Sequence, residues 1–273
     1  MVRLAVSGAL GRMGSGILKT AFNNEDFDVV AAFDAPGKEE IGRDIGEALG
    51  IGKINLAITS SEDMEKVFRG SRVDVLIDFT APEGSLGALE ACAATDTAIV
   101  IGTTGFTGEQ LKKIESMVEV SNIALVLSPN MATGVNVFFK IAAEIAETLG
   151  DGYDIEIIDI HHRYKKDAPS GTALKAGELI AERLGRDIDK VAVFGRQGKT
   201  GERSRGEIGF HAVRAGDIVG EHFVIFAGEG ERIELVHRAH SRQAFVNGAL
   251  KAALFVVDSE KGKVYSTFDV LGL

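Results

Sequence analysis

The chain has 273 residues, of which 45% are hydrophobic and 26% are charged, a balance typical of a folded globular protein. Its formal net charge of −10 argues against partners such as nucleic acid or an anionic membrane surface. A single cysteine excludes an internal disulfide framework, and no apolar run approaches the roughly 20 residues of a membrane-spanning helix. The amino terminus lacks the pattern of a secretory signal, so we expect a cytoplasmic protein.

Short apolar runs alternate with helix-favouring segments over residues 1–130. The predicted strands cover residues 3–7, 29–33, 73–78, 98–101 and 124–127, and the predicted helices cover 12–23, 61–68, 83–94 and 107–121. The strands are continuously apolar, which is typical of a parallel sheet with helices on both faces. The pattern therefore predicts an α/β fold with a Rossmann-like, doubly wound parallel sheet. Cys92, inside a predicted helix, is interpreted as a small buried hydrophobe.

The pattern changes after residue 130. Residues 134–149 and 172–184 predict helices, residues 153–161 predict a strand, and residues 191–195, 207–213, 221–228 and 232–239 are strand-like between glycine-rich turns. This predicts a second, α+β domain with a mixed or antiparallel sheet, and a mobile polar loop at 196–205. A helix at 242–257 is expected to pack onto the first domain. We predict domains at 1–130, completed by 241–273, and at 131–240.

The first strand runs into Gly8, Gly11 and Gly14, and a helix follows. In a dinucleotide-binding turn such glycines allow the tight turn, the close approach of backbone to pyrophosphate, and the close packing of helix on strand. The helix N-terminus offers N–H groups to the phosphates, and Arg12 adds a positive charge. Glycines alone also occur in ordinary turns. Asp34, after the second strand, strengthens the prediction because an acid there hydrogen-bonds the adenosine ribose, although a turn or helix-cap role is the alternative.

An acid at this position favours NADH, since it would repel the 2′-phosphate of NADPH. Lys38 lies near enough in the sequence to bind that phosphate, so NADPH stays possible as a second cofactor. Residues 78–80, 102–106 and 128–131 follow later predicted strands, where open α/β sheets bind ligands. Each segment is interpreted as a ligand contact, with an ordinary strand-to-helix turn as the alternative.

A run of potential cations follows the strand predicted at 153–161, in a chain that is otherwise acidic. These residues are His161, His162, Arg163, Lys165 and Lys166. Ser170, Gly171 and Thr172 then begin a helix, whose N–H groups and hydroxyls form a cradle for an anion. Lysine adds a point charge or a proton, and histidine suits general acid–base chemistry. The alternative is a solvated basic turn before a capped helix.

Neighbouring residues of an extended strand point to opposite sides, so His161 and His162 are expected to have different roles. Metal binding is not favoured, because the nearby cations oppose it and no cysteine or acid is spaced as a ligand. The other histidines are interpreted as structural or surface residues unless the fold brings one inwards. They are His211, His222, His237 and His240.

Together these segments resemble the 4-hydroxy-tetrahydrodipicolinate reductase (dihydrodipicolinate reductase) family over essentially the whole chain. The matching segments are GALGRMG, DFTAPEG, GTTGF, SPNMATGVNVF, HHRYKKDAPSGTA, EIGFHAVRAGDIVGEH and SRQAFVNGA. The pattern within HHRYKKDAPSGT is highly specific to this family. The resemblance implies NAD(P)H-dependent reduction of a small cyclic dicarboxylate, 4-hydroxy-tetrahydrodipicolinate, to tetrahydrodipicolinate in diaminopimelate and lysine biosynthesis.

The resemblance also implies roles for particular residues. The implied cofactor-binding set is Gly8, Ala9, Leu10, Gly11, Arg12, Met13, Asp34, Gly102, Thr103, Thr104, Ser128, Pro129, Asn130 and Met131. His161 is implied as the proton donor or acceptor and Lys165 as its catalytic partner. The implied substrate ligands are His162, Gly171 and Thr172, with Ser170 close by.

A homotetramer assembled through the second domain, and closure of the two domains over substrate, are implied as well. The chain departs from the common family pattern at Asp34, where glutamate is more frequent, and at Ala35, where arginine is frequent. Both departures leave the cofactor preference open.

Two other classes of protein are compatible with a Rossmann-like domain. One is a different oxidoreductase, such as an amino-acid or aldehyde dehydrogenase; the other is a nucleotide sensor without catalysis. A thiol-dependent aldehyde dehydrogenase would need a cysteine at the domain junction, and Cys92 is not there. A sensor would not need the pair His161 and Lys165 beside an anion cradle.

Overall fold

A computed structural model describes residues 1–273. The chain forms two compact units: the first unit comprises Met1–Thr133 and Gln243–Leu273, and the second unit comprises Gly134–Arg242. None of the helices combines the length and the apolar character that crossing a bilayer requires.

The first unit is built on a parallel sheet of seven strands. Its strands are β1 (Val2–Ser7), β2 (Phe27–Asp34), β3 (Ile58–Ser60), β4 (Val75–Asp78), β5 (Ala98–Ile101), β6 (Leu125–Leu127) and β12 (Val264–Tyr265). The order across the sheet is β12-β6-β5-β4-β1-β2-β3, with every pair parallel. The helices of this unit are α1 (Arg12–Ala21), α2 (Ile45–Leu49), α3 (Met64–Ser71), α4 (Pro82–Ala93), α5 (Gly108–Ser121), α9 (Gln243–Val257) and α10 (Thr267–Leu271). The predicted Rossmann-like sheet is confirmed.

Apolar side chains fill the space on both faces of this sheet. Leu4 and Val6 of β1 join one buried cluster, whereas Ala5 between them joins the other, because successive strand residues point to opposite faces. Cys92 is fully buried in the second cluster, as predicted. Helix α9 contacts α1, β4, β5 and β6, which confirms that the last long helix packs onto the first unit.

The second unit contains a mixed sheet of five strands in the order β11-β10-β7-β9-β8. The strands are β7 (Asp154–His161), β8 (Ala192–Phe194), β9 (Ile208–Arg214), β10 (Gly220–Ala227) and β11 (Arg232–Ala239), and the helices are α6 (Thr133–Leu149), α7 (Gly171–Arg183) and α8 (Ile188–Val191). Strand β7 is antiparallel to β10 and parallel to β9, which confirms the mixed sheet. Burial alternates along β7, so that Ile155, Ile157, Asp159 and His161 share the buried face.

Several element predictions need correction. The helix predicted at 61–68 begins as a 3-10 turn over Ser61–Asp63, and α3 then continues to Ser71. The strand predicted at 191–195 is shorter, since residue 191 still belongs to α8. The short elements α2, β3, α8, β12 and α10 were not predicted, because two to five residues are too few to show a period.

The polar segment at 196–205 has no regular secondary structure, as expected. Two of its arginines nevertheless reach back to β7: Arg196 donates two hydrogen bonds of 3.0 Å to the Glu156 carboxylate, and Arg203 Nε donates one of 2.9 Å. His211 on β9 lies 2.7 Å from the same carboxylate. These contacts attach the loop to the sheet, and its mobility stays a prediction.

Candidate active site

The glycine turn after β1 depends on the absence of side chains at two positions. Gly8 has a φ of +71°, and a Cβ there would lie 3.0 Å from the carbonyl oxygen of Phe79. At Gly14, in the first turn of α1, a Cβ would lie 2.1 Å from the carbonyl oxygen of Gly8. The start of α1 is therefore held directly against the end of β1, which is the arrangement that a dinucleotide-binding turn needs.

The N-terminus of α1 is suited to an anionic ligand. Its N-cap residue is Gly11, no side chain caps the helix, and its first turn contains no acid. An α-helix leaves its first N–H groups without partners inside the helix, and these groups carry a partial positive charge. Arg12 adds an exposed cation beside them. The donor set fits the pyrophosphate of a dinucleotide.

Asp34, the last residue of β2, connects this turn to the next strand. Its carboxylate accepts hydrogen bonds of 2.8 Å from the backbone N–H groups of Leu10 and Ala35, and Lys38 Nζ lies 2.8 Å from Oδ1. Burial raises the pKa of Asp34, but the bonds from Lys38, Leu10 and Ala35 outweigh it and lower the pKa overall. A carboxylate with a lowered pKa thus lies at the end of β2, next to the glycine turn and to the ammonium group of Lys38.

A buried carboxylate joins two further segments at this edge of the sheet. Asp78 is fully buried at the end of β4, and it accepts hydrogen bonds from Ser85 Oγ, from Thr80 Oγ1 at 2.9 Å and from Thr103 Oγ1 at 3.1 Å. A Cβ at Gly102 would lie 2.1 Å from the ring of Phe79. Segments 78–80 and 102–104 are therefore packed together. Sequence reasoning interpreted residues 78–80 as a ligand contact, but it did not identify Asp78 as the group that joins this segment to Thr103.

The segment after β6 is attached to the same edge. Ser128 N donates to the carbonyl of Ile101 at 3.1 Å, and Ser128 Oγ donates to the carbonyl of Asn130 at 3.0 Å. A Cβ at Gly248 of α9 would lie 1.6 Å from the carbonyl oxygen of Met131, so α9 packs directly on this segment. The residues predicted to bind cofactor thus follow β1, β2, β5 and β6, whose carboxyl ends share one edge of a parallel sheet.

His161 ends β7 in the second unit and is 9% exposed. Its Nδ1 is buried, makes no hydrogen bond, and lies 3.5 Å from Oδ1 of Asp159. A Cβ at Gly220 would lie 3.0 Å from Nε2, so the space for the imidazole depends on a glycine of β10. The two ring nitrogens therefore face different neighbours: Nδ1 faces Asp159 and Nε2 faces Gly220.

Asp159 is the centre of the polar contacts around His161. Its side chain is 1% exposed, and it accepts hydrogen bonds from Arg214 Nη1 at 2.5 Å and from the backbone N–H of Ser170. Burial raises its pKa, but His161, Arg214 and Ser170 outweigh burial and hold the pKa well below its ordinary value. Sequence reasoning missed Asp159 and Arg214. The available signal was the alternation along β7, which places Asp159 on the same face as Ile155 and Ile157.

Ser170 caps α7, as its position before the helix predicts. Its Oγ accepts a hydrogen bond from Ala173 N at 3.2 Å and lies 3.0 Å from His222 Nε2. His222 is 4% exposed, and burial together with the charges of His161 and His237 lowers its pKa to about 3. The exception allowed for these histidines applies to His222, because strand β10 carries it inwards to Ser170 and His161.

The run of potential cations separates into buried and exposed members. Lys165 is paired with Asp167 at 2.8 Å, and its side chain is 20% exposed. His162 is half-buried next to Tyr164, with 6.2 Å between the ring centroids, whereas Arg163 and Lys166 are exposed. Sequence reasoning did not identify the carboxylate partner of Lys165.

Hydrogen bonds and ion pairs connect Asp159, Arg214, Asp167 and Lys165 within the second unit, and His161 lies beside Asp159. Arg214 bonds to Asp159 through Nη1 and to the carbonyl of Asp167 through Nη2 at 2.6 Å. Asp159 in turn contacts His161 and the start of α7, while Asp167 contacts Lys165. An imidazole, an ammonium group and a helix N-terminus are thus brought together, which suits the binding of an anion.

An open cleft of about 720 Å³ in the first unit lies at the opposite end of the sheet from the glycine turn. Its lining includes Asp74 and Ala98 at the amino ends of β4 and β5, and its three cations are already paired with carboxylates. Open α/β sheets bind ligands at the carboxyl ends, so this cleft is not the candidate site. No three side chains of His, Cys, Asp or Glu are grouped to hold a metal ion.

Known proteins of similar sequence cover the whole chain. A 4-hydroxy-tetrahydrodipicolinate reductase of Methanocaldococcus jannaschii is 53% identical over 273 residues, covering 100% of this chain and 98% of the relative. The reductase of the same name from Methanothermobacter thermautotrophicus is 50% identical, with 100% of each chain covered.

Two solved structures share the fold of this chain. A dipicolinate-bound dihydrodipicolinate reductase from Paenisporosarcina sp. TG-14 is 28% identical and superposes with a TM-score of 0.78 over 98% of each chain. An amine dehydrogenase from Mycobacterium smegmatis is 11% identical, covers 96% of this chain and 94% of its own, and has a TM-score of 0.59, which shows a shared fold alone.

Family-level matches divide the chain in two. Residues 2–131 match the family described as dihydrodipicolinate reductase, N-terminus, and residues 134–271 match dihydrodipicolinate reductase, C-terminus. Since these matches and the relatives extend over almost every residue, the chain belongs to the dihydrodipicolinate reductase family.

Proposed function

We propose that the chain catalyses the NAD(P)H-dependent reduction of 4-hydroxy-tetrahydrodipicolinate to tetrahydrodipicolinate, a step of diaminopimelate and lysine biosynthesis. The observation that carries the proposal is the network that joins His161, Lys165 and the start of α7 through Asp159, Arg214 and Asp167. The names of relatives about half identical over the whole chain support it. The intact network argues against a nucleotide sensor without catalysis.

The second unit is the proposed substrate-binding unit. A substrate with two carboxylates needs several hydrogen-bond donors and positive charge. We assign this role to Ser170, Gly171 and Thr172 at the start of α7, together with His162 and Lys165. Because Lys165 is paired with Asp167, a substrate carboxylate must compete with Asp167 for it. The relative from Paenisporosarcina was solved with dipicolinate bound, a ring with two carboxylates, which supports this class of ligand.

The proposed chemistry assigns separate tasks to His161 and Lys165. NADH or NADPH, held by the glycine turn after β1 and by Asp34, would supply the hydride for ring carbon 4 of the substrate once the substrate has lost water. His161 delivers a proton from Nε2 to the neighbouring ring carbon, since its Nδ1 is buried. Lys165 stabilises the negative charge that builds up on the ring during hydride addition.

The first unit is the proposed cofactor-binding unit. The glycine turn and the N-terminus of α1 would hold the pyrophosphate, and Asp34 would bind the adenosine ribose. Segments 102–104 and 128–131 would lie against the remainder of the cofactor. Asp34 favours NADH, whereas the ammonium of Lys38, 2.8 Å from that carboxylate, offers a partner for the 2′-phosphate of NADPH. We therefore propose NADH as the preferred cofactor and NADPH as the second.

A homotetramer is the proposed assembly. Apolar residues on the face of the second sheet opposite Asp159 and His161 remain half-buried or exposed in the single chain: Ile158, Ile160, Val213, Phe223, Ile225 and Val236. Charged residues of the same face, including Glu221 and Arg238, lie beside these apolar side chains, and such a mixture of apolar and charged groups suits contact between subunits. Sedimentation of the purified protein, and of an Ile225→Asp variant that should dissociate, tests the assembly. The cytoplasmic location stays a prediction.

The function is tested by following the loss of NADH or NADPH absorbance with substrate generated in situ from pyruvate and aspartate semialdehyde. We expect turnover with both cofactors and a higher kcat/KM for NADH. Absence of turnover with either cofactor, in protein that is folded by circular dichroism, would reject the proposal. A reaction that omits pyruvate is the control, because it contains the cofactor and the aldehyde but no cyclic substrate.

A further inference from the structure

The carboxylate of Asp159 faces the buried nitrogen of His161. The two residues are two positions apart on β7, so their side chains share one face of the sheet, and Oδ1 lies 3.5 Å from Nδ1. We propose that Asp159 is a positioning residue for the reduction: it holds the Nδ1–H of His161, leaves Nε2 to deliver the proton, and fixes the start of α7 at the same time. This inference rests on the proposed function.

The surroundings of Nδ1 determine the tautomer of His161. Its Nδ1 is buried without a hydrogen-bond partner, and buried N–H groups in folded proteins are almost always paired. The acceptor that faces Nδ1 is the Asp159 carboxylate, and a movement of a few tenths of an ångström would close 3.5 Å to a hydrogen bond. A hydrogen on Nδ1 therefore points at Asp159, and the neutral ring presents the lone pair of Nε2 on its other side.

The charges of the two groups next to His161 differ: Asp159 is ionised and His222 is neutral. Asp159 accepts hydrogen bonds from Arg214 and Ser170, which keep the buried carboxylate ionised. The other imidazole in contact with His161 is His222, 5.2 Å away between ring centroids, and its low pKa keeps it neutral near pH 7. An ionised carboxylate that faces Nδ1 orients the imidazole of His161 so that Nε2 is the nitrogen directed away from Asp159.

Asp159 also contacts the start of α7, where Ser170, Gly171 and Thr172 are proposed to bind substrate. The second oxygen of the same carboxylate accepts the backbone N–H of Ser170, whose Oγ caps α7. The proton donor and the helix N-terminus are therefore held by the two oxygens of one side chain. Asp159 therefore fixes the distance between His161 and the start of α7. Two parts of the bound substrate depend on that distance: the ring carbon that receives the proton and the carboxylate that the start of α7 binds.

The main test is Asp159→Asn, which keeps the shape of the side chain and removes its charge. We expect kcat to fall at least about a hundredfold, whereas KM and the dissociation constant for dipicolinate rise less than about tenfold. The solvent deuterium isotope effect on kcat should increase, because proton delivery becomes slower than the other steps. Asp187→Asn is the matched control: Asp187 caps α8 in the same unit and pairs with Lys190, far from His161 in the sequence.

A double-mutant cycle separates a positioning role from a structural one. If Asp159 acts through His161, Asp159→Asn should lower kcat less than about threefold in a His161→Gln background. Equal losses in both backgrounds would overturn the proposal, as would an Asp159→Asn enzyme with unchanged kcat. Asp159→Glu, which keeps the charge, should recover at least about a tenth of the lost kcat, and an inactive Asp159→Glu that still binds dipicolinate would also count against it.

A measurement on the unmutated protein covers the case in which the Asp159 variants do not fold. In ¹⁵N-histidine-labelled protein above neutral pH, His161 should carry its hydrogen on Nδ1; a hydrogen on Nε2 would overturn the proposal. This readout needs no turnover. An active unmutated enzyme with the wrong tautomer refutes the role of Asp159, whereas an inactive enzyme with the expected tautomer refutes the proposed function instead.

Discussion

Gly220 of β10 provides the space for the imidazole of His161, since a Cβ at this position would lie 3.0 Å from Nε2. Gly220→Ala should therefore displace the ring and lower kcat about tenfold or more, because small misplacements of a reacting group are costly. The melting temperature should change little. Gly152→Ala, where an added Cβ meets nothing within 4 Å, is the control. An unchanged kcat in Gly220→Ala would show that Nε2 is not the reacting nitrogen.

Lys165 and its neighbour Lys166 allow a matched comparison in the substrate unit. Lys165→Ala should lower kcat at least about a hundredfold through lost stabilisation of the developing charge, without changing the dissociation constant for NADH. Lys166→Ala, which removes an exposed side chain, should leave both unchanged. Equal losses of turnover and NADH binding in Lys165→Ala would contradict the role assigned to it.

Lys38 is the residue of the first unit whose removal should affect NADPH and NADH differently. Lys38→Ala should raise KM for NADPH about tenfold through loss of a charge-assisted contact with the 2′-phosphate, and should leave KM for NADH nearly unchanged. Steady-state kinetics with both cofactors measure the ratio. If both values of KM change alike, Lys38 acts on the fold around Asp34 rather than on the phosphate.

At the scale of residues, sequence reasoning could identify groups whose chemistry is visible in a local pattern, such as the glycines of the first turn and the anion cradle. It could not identify groups whose role depends on distant partners. His222 reaches Ser170 from 52 positions away, and Arg214 reaches Asp159 from 55 positions away. Only the register of β10 and β9 against β7 brings these pairs together.

At the scale of elements, two helix glycines should respond in opposite ways to the same substitution. Gly87 in α4 is exposed and a Cβ there meets nothing within 4 Å, so Gly87→Ala should raise the free energy of unfolding by roughly 0.5–1 kcal/mol. Gly177 in α7 faces Phe210 of β9, whose ring would lie 2.3 Å from a Cβ at position 177. Gly177→Ala should therefore lower the free energy of unfolding by roughly 1–3 kcal/mol. Urea denaturation measures both; stabilisation by Gly177→Ala would contradict the packing of α7 on β9.

Long elements with a strong pattern could be predicted, including both sheets and the helix that returns to the first unit. The elements that were missed are short, and their conformation depends on neighbours distant in the chain. Strand β12 contains two residues, and β6, the strand with which it pairs, lies about 140 positions earlier in the chain. Propensity within such a segment is too weak to determine its structure without tertiary contacts.

At the scale of the whole molecule, acid should destabilise the protein well before its surface carboxylates titrate. His222 has a pKa of about 3 in the folded protein and an ordinary value of 6.5 when unfolded, so between these values the unfolded chain binds a proton that the folded chain refuses. The free energy of unfolding should fall by about 2 kcal/mol from about pH 7 to about pH 5 through this group alone. Below pH 4.5 Glu156, with a folded pKa of about 2, adds a further loss.

Urea denaturation at several pH values checks this expectation. His222→Leu should be less stable at pH 7 through loss of the Ser170 contact, but its stability should fall less steeply towards pH 5. His240→Gln, which changes an exposed histidine, should keep the original slope. A slope unaffected by His222→Leu would mean that another group takes up the proton.

The first unit is discontinuous in the chain, and this affects how the protein must be made. Helix α9 supplies buried residues from Val246 to Val256, and β12 pairs with β6, yet both are synthesised after the entire second unit. While a ribosome is still translating residues 134–242, the nascent first unit lacks the helix that will cover β4, β5 and β6. The inserted unit can therefore complete its fold early, whereas the cofactor-binding sheet keeps apolar surface open to chaperones until translation is almost finished.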